Sequence, residues 1–161
     1  MLNEQTSSLQ LALKPIANDP ATLNALRNND ADALMMQWQE VFETMKEENG
    51  LTHFYFLDKN RVCLLRVHNP LKRGDVINRF TALEAEWKRQ SSSGLEIGPM
   101  GTLSLRVIQP VIVNNELIGY IELGKEIEDV LEKLHFQSGS HLVLVLRKEF
   151  LNRQAWEEVM L

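Results

Sequence analysis

The sequence predicts an α+β fold, an antiparallel sheet with a long N-terminal helical segment packed against it. Three observations lead there. The first fifty residues carry apolar positions at helical spacing, broken by two acidic caps. The later segments Thr52–Leu57, Val62–His68, Leu103–Ile112 and Leu117–Leu123 are rich in β-branched and aromatic residues with a period near two. Hairpins dominate the connections between them, which makes the sheet antiparallel with helices laid against it.

Each element has its local reason. Leu2 to Ala17 is helical, with Leu2, Leu9, Leu13 and Ile16 at spacings of seven, four and three. That narrow seam is of the kind used against a partner helix, and it predicts a parallel homodimer contact. Asp19-Pro20 starts a second helix, with Asp at the N-cap and Pro at the first helical position. Asp30 caps a third, in which Leu34, Trp38, Val41, Phe42 and Met45 form a stripe facing the sheet, and Asn49-Gly50 ends it. Leu51 to Asn69 (LTHFYFLDKNRVCLLRVHN) reads as a hairpin reversing at Asp58-Lys59-Asn60. Asn69 to Gly74 is a loop, and Asp75 is placed to cap a helix from Val76 to about Arg89 through Val76 or Ile77, Phe80, Leu83 and Trp87. Ser91 to Gly94 reads as a flexible break and Leu95 to Ile97 as a short strand before the turn Gly98 to Gly101. Leu103–Val113 and Glu116–Leu123 form a hairpin closed by Asn114-Asn115, residues that tolerate positive φ. Pro110 marks an edge or a bulge in the first of these strands, and Gly124 ends the second. Ile127, Val130, Leu131 and Leu134 predict a short helix, His141–Leu146 a strand, and Phe150–Leu161 a last helix.

Composition narrows the function. The 161 residues suit one domain, and 44% hydrophobic with 24% charged residues are ordinary globular values. A net charge of −5 without a basic cluster argues against nucleic acid. Cys63, the only cysteine, excludes an intramolecular disulfide and reads as core filling. No segment reaches the length of a membrane span, and the N-terminus lacks a signal-peptide pattern. The chain begins and ends inside helical patterns, as a fragment excised from between flanking spans would. No phosphate loop, zinc-protease motif, nucleophile elbow or His pair at metal spacing occurs, so no catalytic, metal or cofactor role is assigned.

The sheet itself carries the candidate chemistry. On a period of two, Val62, Leu64, Arg66 and His68 share one face of their strand, and Cys63, Leu65 and Val67 the other. Arg106 lies among Leu105, Val107 and Ile108, and Tyr120 and Glu122 share a face of the last hairpin strand. His53 and Tyr55 oppose Phe54 and Phe56, and one of these two faces is core. A guanidinium on a half-buried strand needs an acceptor. A ligand carboxylate would supply it bidentately, and so would Glu122, Glu96 or Asp75. Arg66, His68, Arg106, Tyr55, Tyr120, Glu122, His53 and Gly98, the last flanking a loop that can approach a ligand, are the candidate ligand-binding residues. Trp38 and Trp87 are expected in the core.

Several of these strings resemble the Cache sensor domains, the extracellular PAS-like modules of bacterial chemoreceptors, sensor histidine kinases and diguanylate cyclases. The likeness rests on the long helical entry, on Phe54-Tyr55-Phe56-Leu57-Asp58, on the inserted helix and loop, and on the hairpin VNNELIGYIELG from Val113 to Gly124. RVHNPLKRGD, FTALEAE and LIGYIELGKEI look most like the double-Cache subtype. Arg61 departs from the pattern, standing where the family turn has Gly. The resemblance implies one PAS-like sensory module: residues 1–50 the helical entry, 51–136 the sheet core with a lid at 69–101, and 137–161 a last strand and exit helix. It implies a ligand sensor, the periplasmic or extracellular region of an inner-membrane receptor; it does not identify the ligand, for which the strand arginines point to a small anionic metabolite. The alternative is a cytosolic PAS- or GAF-like interaction domain that binds nothing small.

Overall fold

The computed structural model describes residues 2–98 and 102–139. Three helices lead in: α1 (Leu2–Asn18), α2 (Pro20–Arg27) and α3 (Ala31–Asn49). Both predicted caps form. Asp19 accepts from the Thr22 N–H at 2.8 Å and Asp30 from the Ala33 N–H at 2.9 Å, while Gly50 (φ 67°) closes α3 in the left-handed region. The strands are β1 (His53–Asp58), β2 (Cys63–Arg66), β3 (Ser92–Ile97), β4 (Leu103–Val113) and β5 (Glu116–Glu126), in the order β2-β1-β5-β4-β3, with every pair antiparallel. Helix α4 (Phe80–Lys88) lies between β2 and β3 in sequence, and α5 (Glu128–Ser138) follows β5. Asn114 and Asn115 both take positive φ at the β4–β5 turn.

The sheet separates two cores. On one face Phe54, Phe56, Leu65, Val67, Val107, Ile121 and Leu123 meet Leu9, Leu13, Ile16, Leu26, Leu34 and Phe42 of the entry helices. On the other, Tyr55, Leu57, Cys63, Ile108 and Tyr120 meet Ile77, Ala82 and Ala85. Phe54 and Phe56 therefore belong to the helical core, and His53 and Tyr55 face the opposite side. Trp38 packs edge-on against Phe54 (centroids 5.9 Å apart) and donates to Thr22 Oγ1 at 2.8 Å.

Several expectations are corrected. Of the α1 seam, Leu9, Leu13 (1% exposed) and Ile16 are consumed by the chain's own sheet and are not a surface for a second copy, while Leu2 stays exposed. Val41 lies outside the α3 stripe and is exposed. Trp87 (81% exposed), Phe80 and Leu83 point away from the sheet, because α4 approaches it through the small residues Thr81, Ala82 and Ala85. Asp75 caps no helix. Arg79 holds the N-cap position of α4 without a side-chain bond, and Glu96 of β3 reaches across to accept from the Thr81 N–H at 2.8 Å. The flexible break is instead the start of β3 at Ser92, and Gly124 lies inside β5 rather than at its end. A register shift between Phe56 and Leu57 sets Cys63 opposite Leu57, on the Tyr55 side rather than with Leu65 and Val67. Pro110 does sit on a locally open edge, past the end of the β3 pairing and beside a register shift at Val111/Ile112. The strand expected at 141–146, the helix expected at 150–161 and residues 99–101 of the turn lie outside the described residues, as do the side chains of Val130 and Leu134.

Candidate functional site

Arg66, Tyr55, His53 and Arg106, from two adjacent cross-strand rows, floor a cavity of about 820 Å³ on the face away from the entry helices. One row runs Arg66, Tyr55, Glu122, Ile108, Ser92; the next runs His53, Gly124, Arg106, Gly94. Residues 69–79 roof it. Their backbone is pinned to the outer edge of β2: the Cys63 N–H donates to Asp75 O at 2.9 Å, Gly74 N–H to Cys63 O at 2.8 Å, and Ile77 N–H to Arg61 O at 2.9 Å. The roof thereby covers an edge strand that would otherwise expose unpaired backbone groups.

Three guanidiniums surround one ring. Arg66, Arg79 and Arg106 stand 5.1, 5.2 and 5.5 Å from the Tyr55 centroid, a cation–π cluster. Glu122, fully buried, accepts from Arg106 Nη1 at 2.6 Å and from Arg79 Nη2 at 2.5 and 2.7 Å. Burial works against its charge, but Arg79 and Arg106 outweigh that and hold its carboxyl below the usual range. Arg66 is paired bidentately with Asp75, both bonds 2.7 Å, and also donates to the Lys72 carbonyl. That pairing holds the Asp75 carboxyl down as well. Both sheet arginines thus have internal acids. The pairs differ in one respect: Glu122 is sealed beneath the floor, whereas the Asp75 side chain is 49% exposed. The Nε groups of Arg79 and Arg106 are buried without a hydrogen-bond partner among the described residues.

The histidines are neutral neighbours of this cluster. Burial, then the charges of Arg106 and His68, push His53 down to about 3. Burial, only partly offset by a bond to the Phe54 backbone, and the charges of Arg106 and Arg66 take His68 to about 4. The His68 ring sits 4.9 Å from both the His53 and Tyr55 rings, and its Nδ1 accepts from the Phe54 N–H at 3.1 Å.

Of the sequence candidates, Arg66, His68, Arg106, Tyr55, His53 and Gly98 line the cavity, and Glu122 lies under it. Tyr120 does not reach it. Its hydroxyl is buried in the core under α4 without a hydrogen-bond partner among the described residues, and burial raises it to about 12. Sequence reasoning missed Arg79, Lys72, Asn78 and Asp75 as lining residues. Arg79 left a trace: a cation at a helix N-terminus opposes the helix dipole, which points to another use for the charge. Arg61 takes φ 65°, the conformation for which the family turn has Gly. Its side chain donates to Ile77 O at 2.9 Å, Asn78 Oδ1 at 2.5 Å and Glu86 Oε2 at 3.1 Å, tying the roof to α4.

The match to known proteins agrees with this architecture. A family model described as the double sensory domain of two-component sensor kinase matches residues 1–156. The Escherichia coli DcuS sensor domain aligns with TM-score 0.66 at 16% identity, over 83% of this chain and 97% of that one. The sensor domain of the Vibrio cholerae histidine kinase DctB aligns at 0.57 and 18% identity, over 81% of this chain and 55% of that one. The ligand-binding domain of the Campylobacter jejuni chemoreceptor Tlp3, in complex with 4-methylisoleucine, aligns at 0.56 and 12%, over 81% and 53%. The chain thus spans nearly all of the first of these domains and about half of the other two. No curated protein sequence matches it. Among the described residues there is no helix long and apolar enough to cross a membrane, and no group of three side chains able to hold a metal ion.

Proposed function

Because the chain belongs to the family of double sensory domains of two-component sensor kinases, we propose that it is the extracytoplasmic ligand-binding domain of a membrane signal-transduction receptor and that its cavity holds a small organic anion. One observation carries the anion: three guanidiniums converge on Tyr55 in a roofed cavity, and among the described residues two acids, Asp75 and Glu122, are bonded to them. A desolvated positive excess attracts a carboxylate far more strongly than an exposed one does. Tyr55, Val76, Ile77 and Ile97 supply apolar wall for the body of the ligand. The domain is read as one sensory module with no reaction of its own. Signalling follows if the ligand binds one arrangement of the 69–79 roof better than another, since only differential affinity shifts an equilibrium. A homodimer through α1 would use its outer face, where Leu11 is exposed, because the inner seam is occupied.

Calorimetric titration of the domain with mono- and dicarboxylates, inorganic phosphate and an organic amine tests the reading. At least one anion is expected to bind, the amine is not, and Arg79→Gln weakens the anion at least tenfold. If no anion binds, or the amine binds best, the anionic pocket is wrong.

A further inference from the structure

We infer that Asp75 is the charge-selecting residue of the cavity: by neutralising Arg66 it restricts the site to ligands carrying a single negative charge, a monocarboxylate rather than a dicarboxylate. The inference rests on the anionic pocket proposed above and adds its selectivity.

The charges around the ring decide the matter. Arg66, Arg79 and Arg106 are positive, and among the described residues Glu122 and Asp75 are the carboxylates bonded to them. Glu96, which also acts on Arg79, is itself engaged by the Thr81 N–H, which leaves three guanidiniums against two bonded carboxylates. Lys72 and Glu126, one charge of each sign, also line the cavity, and His53 and His68 are neutral at pH 7. One ligand carboxylate completes the balance. A second would have to displace Asp75 from Arg66, or remain desolvated beside Asp75 and Glu122.

Displacement is disfavoured by geometry as well as charge. Asp75 meets Arg66 through two parallel bonds of 2.7 Å, the fork geometry that a ligand carboxylate would need. It is presented by a segment held on both sides, through the Gly74–Cys63 bond to β2 and the Ile77–Arg61 bond just before that strand, and its own carbonyl accepts from the Cys63 N–H. An acid held in place by its own chain acts at an effective concentration that a free ligand rarely matches. Glu122 cannot take this part. It is sealed under the floor and shared by two arginines, so the ligand does not exchange with it.

The experiment compares ligands of matched skeleton, propionate against succinate and lactate against malate. Calorimetry is run at pH 7 and constant ionic strength on the whole chain, as wild type, Asp75→Asn and Asp75→Glu. Wild type is expected to bind the monocarboxylates at least tenfold more tightly than the dicarboxylates. Asp75→Asn shifts that ratio at least tenfold toward the dicarboxylates, and Asp75→Glu, which keeps the charge, retains the wild-type preference. Equal or tighter binding of dicarboxylates by wild type overturns the inference and leaves the anionic pocket standing. So does an unchanged ratio in a folded Asp75→Asn. Absence of binding by either series and by phosphate overturns the pocket itself. The wild-type ratio decides even if Asp75→Asn fails to fold.

Discussion

Replacing Glu122 by Gln tests how the cavity floor is held together. The substitution keeps the shape and one acceptor oxygen and removes only the charge. Arg106, 5% exposed, then lies beside Arg66 and Arg79 with no counter-ion of its own. Breaking a buried ion pair in this way costs about 3–5 kcal/mol. The lower end applies here, because Arg79 is 22% exposed and can turn toward solvent in the cavity, leaving Arg106 as the one stranded charge. For a chain of this length each kcal/mol corresponds to roughly 2–4 °C, so the melting temperature should fall by roughly 6–12 °C. Urea unfolding of Glu122→Gln and of Glu122→Gln/Arg106→Met gives the check. The double variant removes the stranded cation together with its acid and should recover part of the loss. A single variant within about 1 kcal/mol of wild type, or a double variant no better than the single, would refute the account.

Three further outcomes follow from the same structure. The folded pKa values of His53 and His68 lie below 6.5, so the unfolded chain takes up protons first; stability should be full above pH 6.5 and decline as the pH falls toward 4, and His53→Asn should flatten a series of melts from pH 7.5 to 5. Leu13→Ala should lower stability by about 2–5 kcal/mol in dilute protein, because Leu13 fills the sheet core; a residue serving only a dimer would leave the dilute melt unchanged. Burial raises the Cys63 thiol to about 11, so a thiol reagent at pH 8 should react with it only as fast as the domain opens, and rapid native labelling would contradict the placement.

What the sequence disclosed depended on whether the deciding interaction was local. Asp19 and Asp30 became caps because a cap needs only the next three residues. Asp75 met the same local rule and failed it, because Arg66, nine residues back, makes a stronger claim on its carboxylate. The stripe Phe80, Leu83, Trp87 has true helical spacing, yet periodicity cannot say whether an apolar stripe or the small residues beside it will meet the sheet. Cys63 was assigned the wrong face by one inserted residue, since a bulge reverses all alternation beyond it. Arg66 and Arg106 were legible as buried cations in need of acceptors, which the structure supplies as Asp75 and Glu122. Arg79, from the roof, joined them only through a contact 43 residues away in sequence.

The strand order has one more consequence, and it concerns where diversity can enter. In β2-β1-β5-β4-β3 the consecutive strands β2 and β3 stand at opposite edges, four strand spacings apart. At about 4.8 Å per spacing, the chain must travel roughly 19 Å sideways between them. Residues 67–91 make that journey over the Tyr55 face, so a ceiling above the arginines is required by the connectivity itself. Its height depends on how much chain is spent on the way, whereas the pairing beneath is set by strands that need not change. Lengthening or shortening residues 69–73, before the segment bonds to Cys63 at Gly74, should therefore resize the cavity while the five-stranded register stays intact. On this strand order the volume above the sheet can change by editing one bridge.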